Sequence, residues 1–354
     1  MIQRKTTRKI KVREAYIGGD APVLVQSMTN TLTSDIQATM SQVFELEAAG
    51  CELVRCGVPD IESARALKEI VRSTALPVCA DIHFDADLAR EAISQGVHKL
   101  RINPGNLKNK EEVRDIALRC KEAGIPIRIG VNAGSLDTKI LEKYGGITPA
   151  AMVESAQREI ELLESVGFAD IIISLKASRV PLCVESYRMM SDLYDYPLHI
   201  GITEAGTLGY GSVKSAVGLG ILLYQGIGDT LRVSLTDNPV KEMEVAWDIL
   251  KALEIRKRGP ELVSCPTCAR SQIDVISMAR EVEARLRKIT APITVAVMGC
   301  VVNGPGEARE ADVGLAGGKG RGVIFRQGRK IKTVDEQNLV DELFNEIDSF
   351  LKQK

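Results

Sequence analysis

Eight short apolar runs, each followed by a helical pattern, constrain this chain more than any other feature. They start at Leu24 ("LVQSMT"), Leu53 ("LVRCGV"), Val78 ("VCADIH") and Lys99 ("KLRINP"), then at Ile127 ("IRIGVN"), Asp170 ("DIIISLK"), Leu198 ("LHIGIT") and Thr230 ("TLRVSL"). Their mean spacing is about 29 residues, the length of one strand–helix unit in a parallel sheet. The intervening segments are amphipathic. The first, "SDIQATMSQVFELEAAG", opens on Ser34 and Asp35 as cap candidates and closes on Gly50. Eight such units predict an α/β chain folded as a (β/α)8 TIM barrel, with a doubly wound open sheet as the alternative. The interval after Ile127 is long and contains "AGSLDTKILEKYGGITP", read as an extended active-site loop.

The eighth barrel helix is expected over "NPVKEMEVAWDILKALEI". The sequence then changes character at "RKRGPELVS", with Gly259 and Pro260. This puts a barrel domain at residues 1–258 and a small α+β domain at residues 259–354. In the second domain "ELVSC" and "ITVAVMG" read as strands around a helix spanning Gln272 to Arg287. Short strands follow at "DVGLAGG", "GVIFRQ" and "KIKTV", and a last helix runs from Asp335 to Leu351.

Chemistry in a barrel collects at the C-terminal ends of the strands. Those ends offer Arg55, Asp81, His83, Arg101, Asn103, Arg128, Asn132, Lys176, Glu204, Arg232 and Ser234. Arginine inside an apolar strand is unfavourable unless its charge has a partner. Converging cations repel one another, so an anion should fill the centre, and arginine forks match phosphate oxygens two at a time. A phosphate or diphosphate fits better than a single carboxylate. The bland alternative pairs some of these cations with Asp and Glu between strands. Asp81 and Glu204 are the acids of the set, able to take a proton or orient a donor. "GTLGYGS" after strand seven could add backbone amides to a phosphate, a weak signal by itself. "GGKGRG" reads as a plain turn.

The net charge of −1 and the 4% aromatic content argue against a nucleic-acid binder or a coat for an anionic membrane. No apolar run approaches the length of a membrane span, and the basic N-terminus lacks the apolar core of a signal peptide. Eight cysteines without an export signal point to the cytoplasm. Cys51, Cys56, Cys79, Cys120 and Cys183 sit singly in apolar surroundings and read as small buried hydrophobes.

Cys265, Cys268 and Cys300, in "SCPTCARSQID" and "VMGCVVNGPGE", are different. No histidine follows His199, so a closed Cys/His zinc set is short of a ligand. A dithiol redox pair leaves Cys300 unexplained. An iron–sulfur cluster tolerates one odd ligand, and Glu307 is the candidate, across the turn-forming run Asn303-Gly304-Pro305-Gly306. Glu310 and Asp312 are lesser ones. Cluster, zinc and inert thiols all remain open on spacing alone.

"CPTCAR", "GCVVNGPGE", "ADIHFD", "KLRINPGN", "RIGVNAGSL", "SLKAS" and "GITEAG" together resemble the 4-hydroxy-3-methylbut-2-enyl diphosphate synthase family, in its short bacterial form. The resemblance covers nearly the whole chain. It implies an iron–sulfur oxidoreductase of the non-mevalonate isoprenoid pathway, with a [4Fe-4S] cluster on Cys265, Cys268, Cys300 and Glu307. A carboxylate is a harder, more weakly held iron ligand than a thiolate, one that a unique iron can exchange for a substrate oxygen. The resemblance implies reductive ring opening and dehydration of 2-C-methyl-D-erythritol 2,4-cyclodiphosphate to 4-hydroxy-3-methylbut-2-enyl diphosphate. The cationic strand ends would then bind substrate and Glu204 would act as the acid. Two electrons would come from ferredoxin or flavodoxin. The second domain would resemble the cluster module of sulfite reductases and cover a partner's barrel in a head-to-tail homodimer. Two rivals stand beside this reading. One is a phosphate-ester- or pterin-binding barrel transferase with a structural zinc module. The other is a metabolite-binding protein stapled by metal.

Overall fold

The computed structural model describes residues 2–83, 85–103, 109–300 and 308–353. Glu307, the expected fourth ligand, lies outside the described residues. The chain divides into two compact units, Met1–Arg256 and Lys257–Lys354.

The first unit opens with a short antiparallel hairpin, β1 (Ile10–Val12) and β2 (Ala15–Ile17). Eight strands follow: β3 (Leu24–Met28), β4 (Leu53–Val58), β5 (Val78–Ile82), β6 (Lys99–Ile102), β7 (Ile127–Asn132), β8 (Ile171–Lys176), β9 (His199–Ile200) and β10 (Thr230–Leu231). They pair in parallel, each with its sequence neighbours, and β10 returns to β3. A parallel bridge between Ile173 and Leu198 joins β8 to the start of β9 and closes the ring. Closure decides for the TIM barrel over the open sheet.

The helices between strands are α1 (Ile36–Ala48), α2 (Ile61–Ser73), α3 (Ala86–Ser94), α4 (Lys110–Ala123), α5 (Thr138–Tyr144), α6 (Pro149–Glu164), α7 (Val180–Leu193), α8 (Leu208–Tyr224) and α9 (Pro239–Ala252). Most start on a side-chain cap. Asp35, Asp60, Asp85, Asn109, Asp137, Thr148 and Asn238 each accept a first-turn backbone N–H. The segment expected as an extended loop after β7 is instead a 3-10 turn (Ala133–Ser135) followed by α5, capped by Asp137.

The strands are buried on both faces, and alternate residues go to different cores. Val54, Cys56, Val78, Ala80, Leu100, Ile102, Ile127 and Ile129 pack outward against the helices. The other parity points into the barrel. There Leu24, Leu53, Cys79 and Ile172 meet Ile10, Val12 and Ile17 of the hairpin. That apolar cluster plugs the N-terminal end and leaves polar positions toward the C-terminal end.

The second unit has a five-stranded sheet ordered β11 (Glu261–Ser264), β12 (Thr294–Met298), β13 (Val313–Gly318), β14 (Arg321–Arg326) and β15 (Arg329–Asp335). The first three strands are parallel and the last two antiparallel. Two helices, α10 (Val275–Leu286) and α11 (Leu339–Gln353), bury Val282, Leu286, Leu343 and Ile347 with Val295, Val297, Leu315 and Ile324. "GGKGRG" is the β13–β14 turn, with Gly320 at φ +65°. Among the described residues no helix is long and apolar enough to cross a membrane.

Candidate active site

Inward parity places Arg55 on β4, Asp81 on β5, Arg101 on β6, Arg128 on β7 and Lys176 on β8 at the C-terminal half of the barrel. Register supports this, with Asp81 opposite Arg101, Arg101 opposite Arg128, and Asn132 opposite Lys176. Asp81 is the hub. Its carboxylate accepts from Arg101 Nη1 at 2.9 Å and lies 3.4 Å from Arg55 Nε and 3.5 Å from His83 Nε2. Burial by itself would raise its pKa, but Arg55, Arg101, His83 and Arg128 outweigh burial and hold it well below the usual carboxylate range. Asp81 therefore stays ionised and aligns its arginines.

Two glycines seat these cations. A Cβ at Gly130 would stand 2.5 Å from Arg101 Nε, and one at Gly201 would stand 2.6 Å from Lys176 Nζ. Asn103 is buried and bonds Ser135 Oγ through its Nδ2 at 3.1 Å. Asn132, His83 and Ser234 are half-buried.

Arg232 is held by a residue that sequence reasoning missed. Glu242, on α9 and 2% exposed, accepts from Arg232 Nε and Nη2, both at 3.2 Å. The same carboxylate accepts from Ser27 Oγ and the Leu235 backbone N–H. Its signal lay in the helical period, since Glu242 falls on the face otherwise formed by Pro239, Met243, Ala246 and Leu250. Replacing Glu242 with Gln halves the fork and leaves Arg232 poorly aimed. Substrate KM should rise about tenfold, with a smaller change in kcat, and Asp should restore part of the loss. Steady-state kinetics of the Gln and Asp variants check this; an unchanged KM would make Glu242 purely structural.

Two more interior groups lie beside the expected site residues. Lys99 is fully buried and donates to Gln26 Oε1 at 3.3 Å. His199 is also buried, with Nδ1 on Thr230 Oγ1 and its backbone carbonyl accepting from Tyr187. Parity was the available signal for Lys99, two residues before Arg101 on one strand. His98, by contrast, accepts the Val78 N–H at 3.1 Å through Nδ1, a structural role.

Among the described residues the interior thus carries six basic side chains, Arg55, Lys99, Arg101, Arg128, Lys176 and Arg232, against two carboxylates, Asp81 and Glu242. The acids engage Arg55, Arg101 and Arg232. Arg128 is 1% exposed, and its Nε and Nη1 have no partner among the described residues. Orphaned buried donors of one sign suit an anion.

Glu204 follows β9 with φ +52°, the left-handed region that a non-glycine residue enters at a cost. Its side chain is exposed. It takes no part in the buried ion pairs of Asp81 and Glu242. "GTLGYGS" opens α8 rather than forming a free loop.

In the second unit Cys265 and Gly299–Cys300 follow β11 and β12, which are parallel neighbours with Ser264 opposite Val297. Their C-terminal ends therefore lie side by side. The Gly299 N–H donates to Cys265 Sγ at 3.0 Å. The turn after Cys268 folds back, with the Gln272 N–H on the Gly299 carbonyl at 2.9 Å. Hydrogen bonds from the Arg270 backbone and side chain lower the pKa of the exposed Cys268 thiol. Cys265 and Cys300 are half-buried. A sulfur that accepts an amide N–H and a thiol biased toward thiolate suit a thiolate-bound group. Among the described residues no three ligating side chains form a closed metal set. The other five cysteines are buried, as expected.

A (β/α)8 barrel with a cationic interior, followed by a thiol-bearing α+β unit, defines a two-part barrel protein. Residues 7–247 match the family described as "GcpE TIM-barrel domain" and residues 261–349 match "GcpE protein C-terminal domain", and the chain belongs to this family. Curated relatives of Clostridium acetobutylicum and Caldanaerobacter subterraneus are 57% and 56% identical. Both are named 4-hydroxy-3-methylbut-2-en-1-yl diphosphate synthase (flavodoxin). The first match covers 98% of this chain and 100% of the relative; the second covers 99% of each. Among solved structures, dihydropteroate synthase of Yersinia pestis matches with a TM-score of 0.51 at 15% identity, over 71% of this chain and all of the other. A truncated 3-deoxy-D-arabino-heptulosonate 7-phosphate synthase of Thermotoga maritima gives 0.51 at 12% identity, over 70% of this chain and 91% of the other. Both share the barrel fold alone.

Proposed function

We propose that this enzyme reduces 2-C-methyl-D-erythritol 2,4-cyclodiphosphate to 4-hydroxy-3-methylbut-2-enyl diphosphate in the cytoplasm, with electrons from flavodoxin or ferredoxin. The observation that carries the reading is the surplus of buried barrel cations over carboxylates, together with the orphaned donors of Arg128. Full-length relatives bearing the synthase name support it.

Arg55, Arg101, Arg128, Lys176, Arg232 and Ser234 bind the diphosphate, with Asn103, Asn132, Asp81 and His83 in support. Asp81 aligns Arg55 and Arg101 and, held ionised, is no proton donor. The leaving hydroxyl needs a proton, and Glu204 supplies it from the loop after β9. A positive φ on a non-glycine residue at a strand end is the kind of strain that functional sites hold. Glu204→Gln should keep substrate affinity within about threefold and lose about 100-fold in turnover. Binding and rate measured on that variant check it, and unchanged turnover removes Glu204 from the chemistry.

The unit from Lys257 onward carries a [4Fe-4S] cluster on Cys265, Cys268, Cys300 and Glu307. When bound, the cluster supplies the two electrons one at a time and a Lewis-acidic iron. The N–H donor to Cys265 and the lowered Cys268 pKa support the thiolate ligands.

The working form is a head-to-tail homodimer. α8 exposes Tyr210, Val213, Val217, Ile221 and Tyr224 at helical spacing, an uncharged stripe suited to a second copy. Val217→Lys should shift the protein from dimer to monomer in sedimentation runs and lower activity; a dimer of unchanged tightness would free this face from the role.

Anaerobic turnover with reduced flavodoxin tests the reading. Formation of the linear diphosphate product supports it. Zinc in place of iron, with no product, would leave a phosphate-binding barrel with a structural metal module.

A further inference from the structure

Four of the six inward cations are arginines, which hold their protons throughout the physiological range. Among the described inward cations, only Lys99 and Lys176 allow the interior to shed charge. Lys99 stands below the layer of Asp81 and Arg101, since it pairs with Cys79 where they pair with each other. It faces Gln26 on β3, Arg55 on β4, Cys79 on β5, Arg128 on β7 and His199 on β9. Lys176 faces Arg55, Arg128 and Arg232, His199 on β9 and Cys183 on α7. Asp81 and Glu242 are engaged by arginines, and neither lysine has a carboxylate partner among the described residues.

We infer that substrate binding is coupled to proton uptake: Lys99 and Lys176 lose protons in the empty barrel and regain them when the cyclic diphosphate dianion enters. Lys99, with no expected substrate contact, thereby joins substrate recognition as the cation beneath it. The inference rests on the cyclic diphosphate reading. Burial, more than any charge, pulls the Lys99 ammonium down to about 7, and Arg128 and Arg55 push the same way. Burial first, then Arg128, Arg55 and Arg232, takes Lys176 well below its ordinary value. The sign follows. Above about 7 the Lys99 amine is mostly neutral without substrate, Lys176 is biased the same way, and a dianion stabilises the charged forms of both. Binding therefore takes up protons, and affinity falls as pH rises. The substrate does not confuse the measurement. Each phosphorus in the ring carries one ester and one anhydride bond, so it lacks the second ionisation near pH ~6 of a phosphate monoester.

The test is anaerobic calorimetry of the oxidised holoenzyme with the cyclic diphosphate. Titrations are run at pH 8 in Tris and in HEPES, whose ionisation enthalpies differ. The expected result is uptake of about one to two protons per substrate, falling at pH 6, where Lys99 is already charged. Lys99→Met, of similar volume, should still bind substrate but take up about one proton fewer at pH 8. Equal heats in both buffers would overturn the coupling. Unchanged uptake in a folded Lys99→Met protein would overturn the role of Lys99. If that variant fails to fold, the wild-type buffer dependence alone decides. Absence of any binding would instead reject the cyclic diphosphate reading, and this inference with it.

Discussion

Arg128→Met will lower affinity for the cyclic diphosphate about 100-fold while making the substrate-free protein more stable. The two effects share one cause. Arg128 is almost fully buried, and two of its donors lack partners among the described residues. Burial, then the charge of Arg55, brings its pKa down to about 9, a sign of how poorly the empty site tolerates this charge. Removing a buried, unpaired charge relieves a penalty of several kcal/mol, only partly offset by the smaller side chain. A charge-assisted fork to phosphate contributes about 3 kcal/mol, which is about 100-fold in binding. A thermal melt without substrate and a binding titration read the two arms. A lower melting temperature with affinity intact would make Arg128 a structural strut.

Cys300→Ser has the larger effect on activity. A serine hydroxyl ionises too weakly to replace a thiolate on iron. Cluster assembly should fail, and reductive turnover should fall more than about 1,000-fold. The barrel's packing is internal to its own unit, so its circular dichroism and its affinity for the cyclic diphosphate should change little. Iron and sulfide content read together with activity check this. Full iron occupancy with lost activity would move Cys300 from ligand to catalytic group.

The parts of this site that the sequence revealed were those tied to strand period. Arg55, Arg101, Arg128 and Lys176 interrupt runs such as "LVRCGV" and "IIISLK", where a charge is conspicuous. Lys99 and His199 obey the same parity but begin their strands, at the end away from the mouth where chemistry is expected. Glu242 reaches the site from a helix outside the barrel, a contact that strand period cannot report. The plugging hairpin was missed because "IKV" and "AYI" are three-residue strands within a basic segment. α5 read as loop because two glycines follow a helix of only seven residues. The cysteine spacing in the sequence left several metals open. That β11 and β12 are parallel neighbours, bringing Cys265 beside Gly299, depends on strand order, which local sequence does not encode. Neither the exposure of Glu204 nor its positive φ has a local signal, since no glycine marks that position.

The central claim is that a cationic barrel and a thiol-bound cluster serve one substrate. Electron paramagnetic resonance of the anaerobic, dithionite-reduced protein, with and without the cyclic diphosphate, tests it most directly. The account predicts an iron–sulfur signal whose shape changes when substrate is added. No signal, with zinc in the protein, would contradict it, and so would a cluster signal indifferent to saturating substrate.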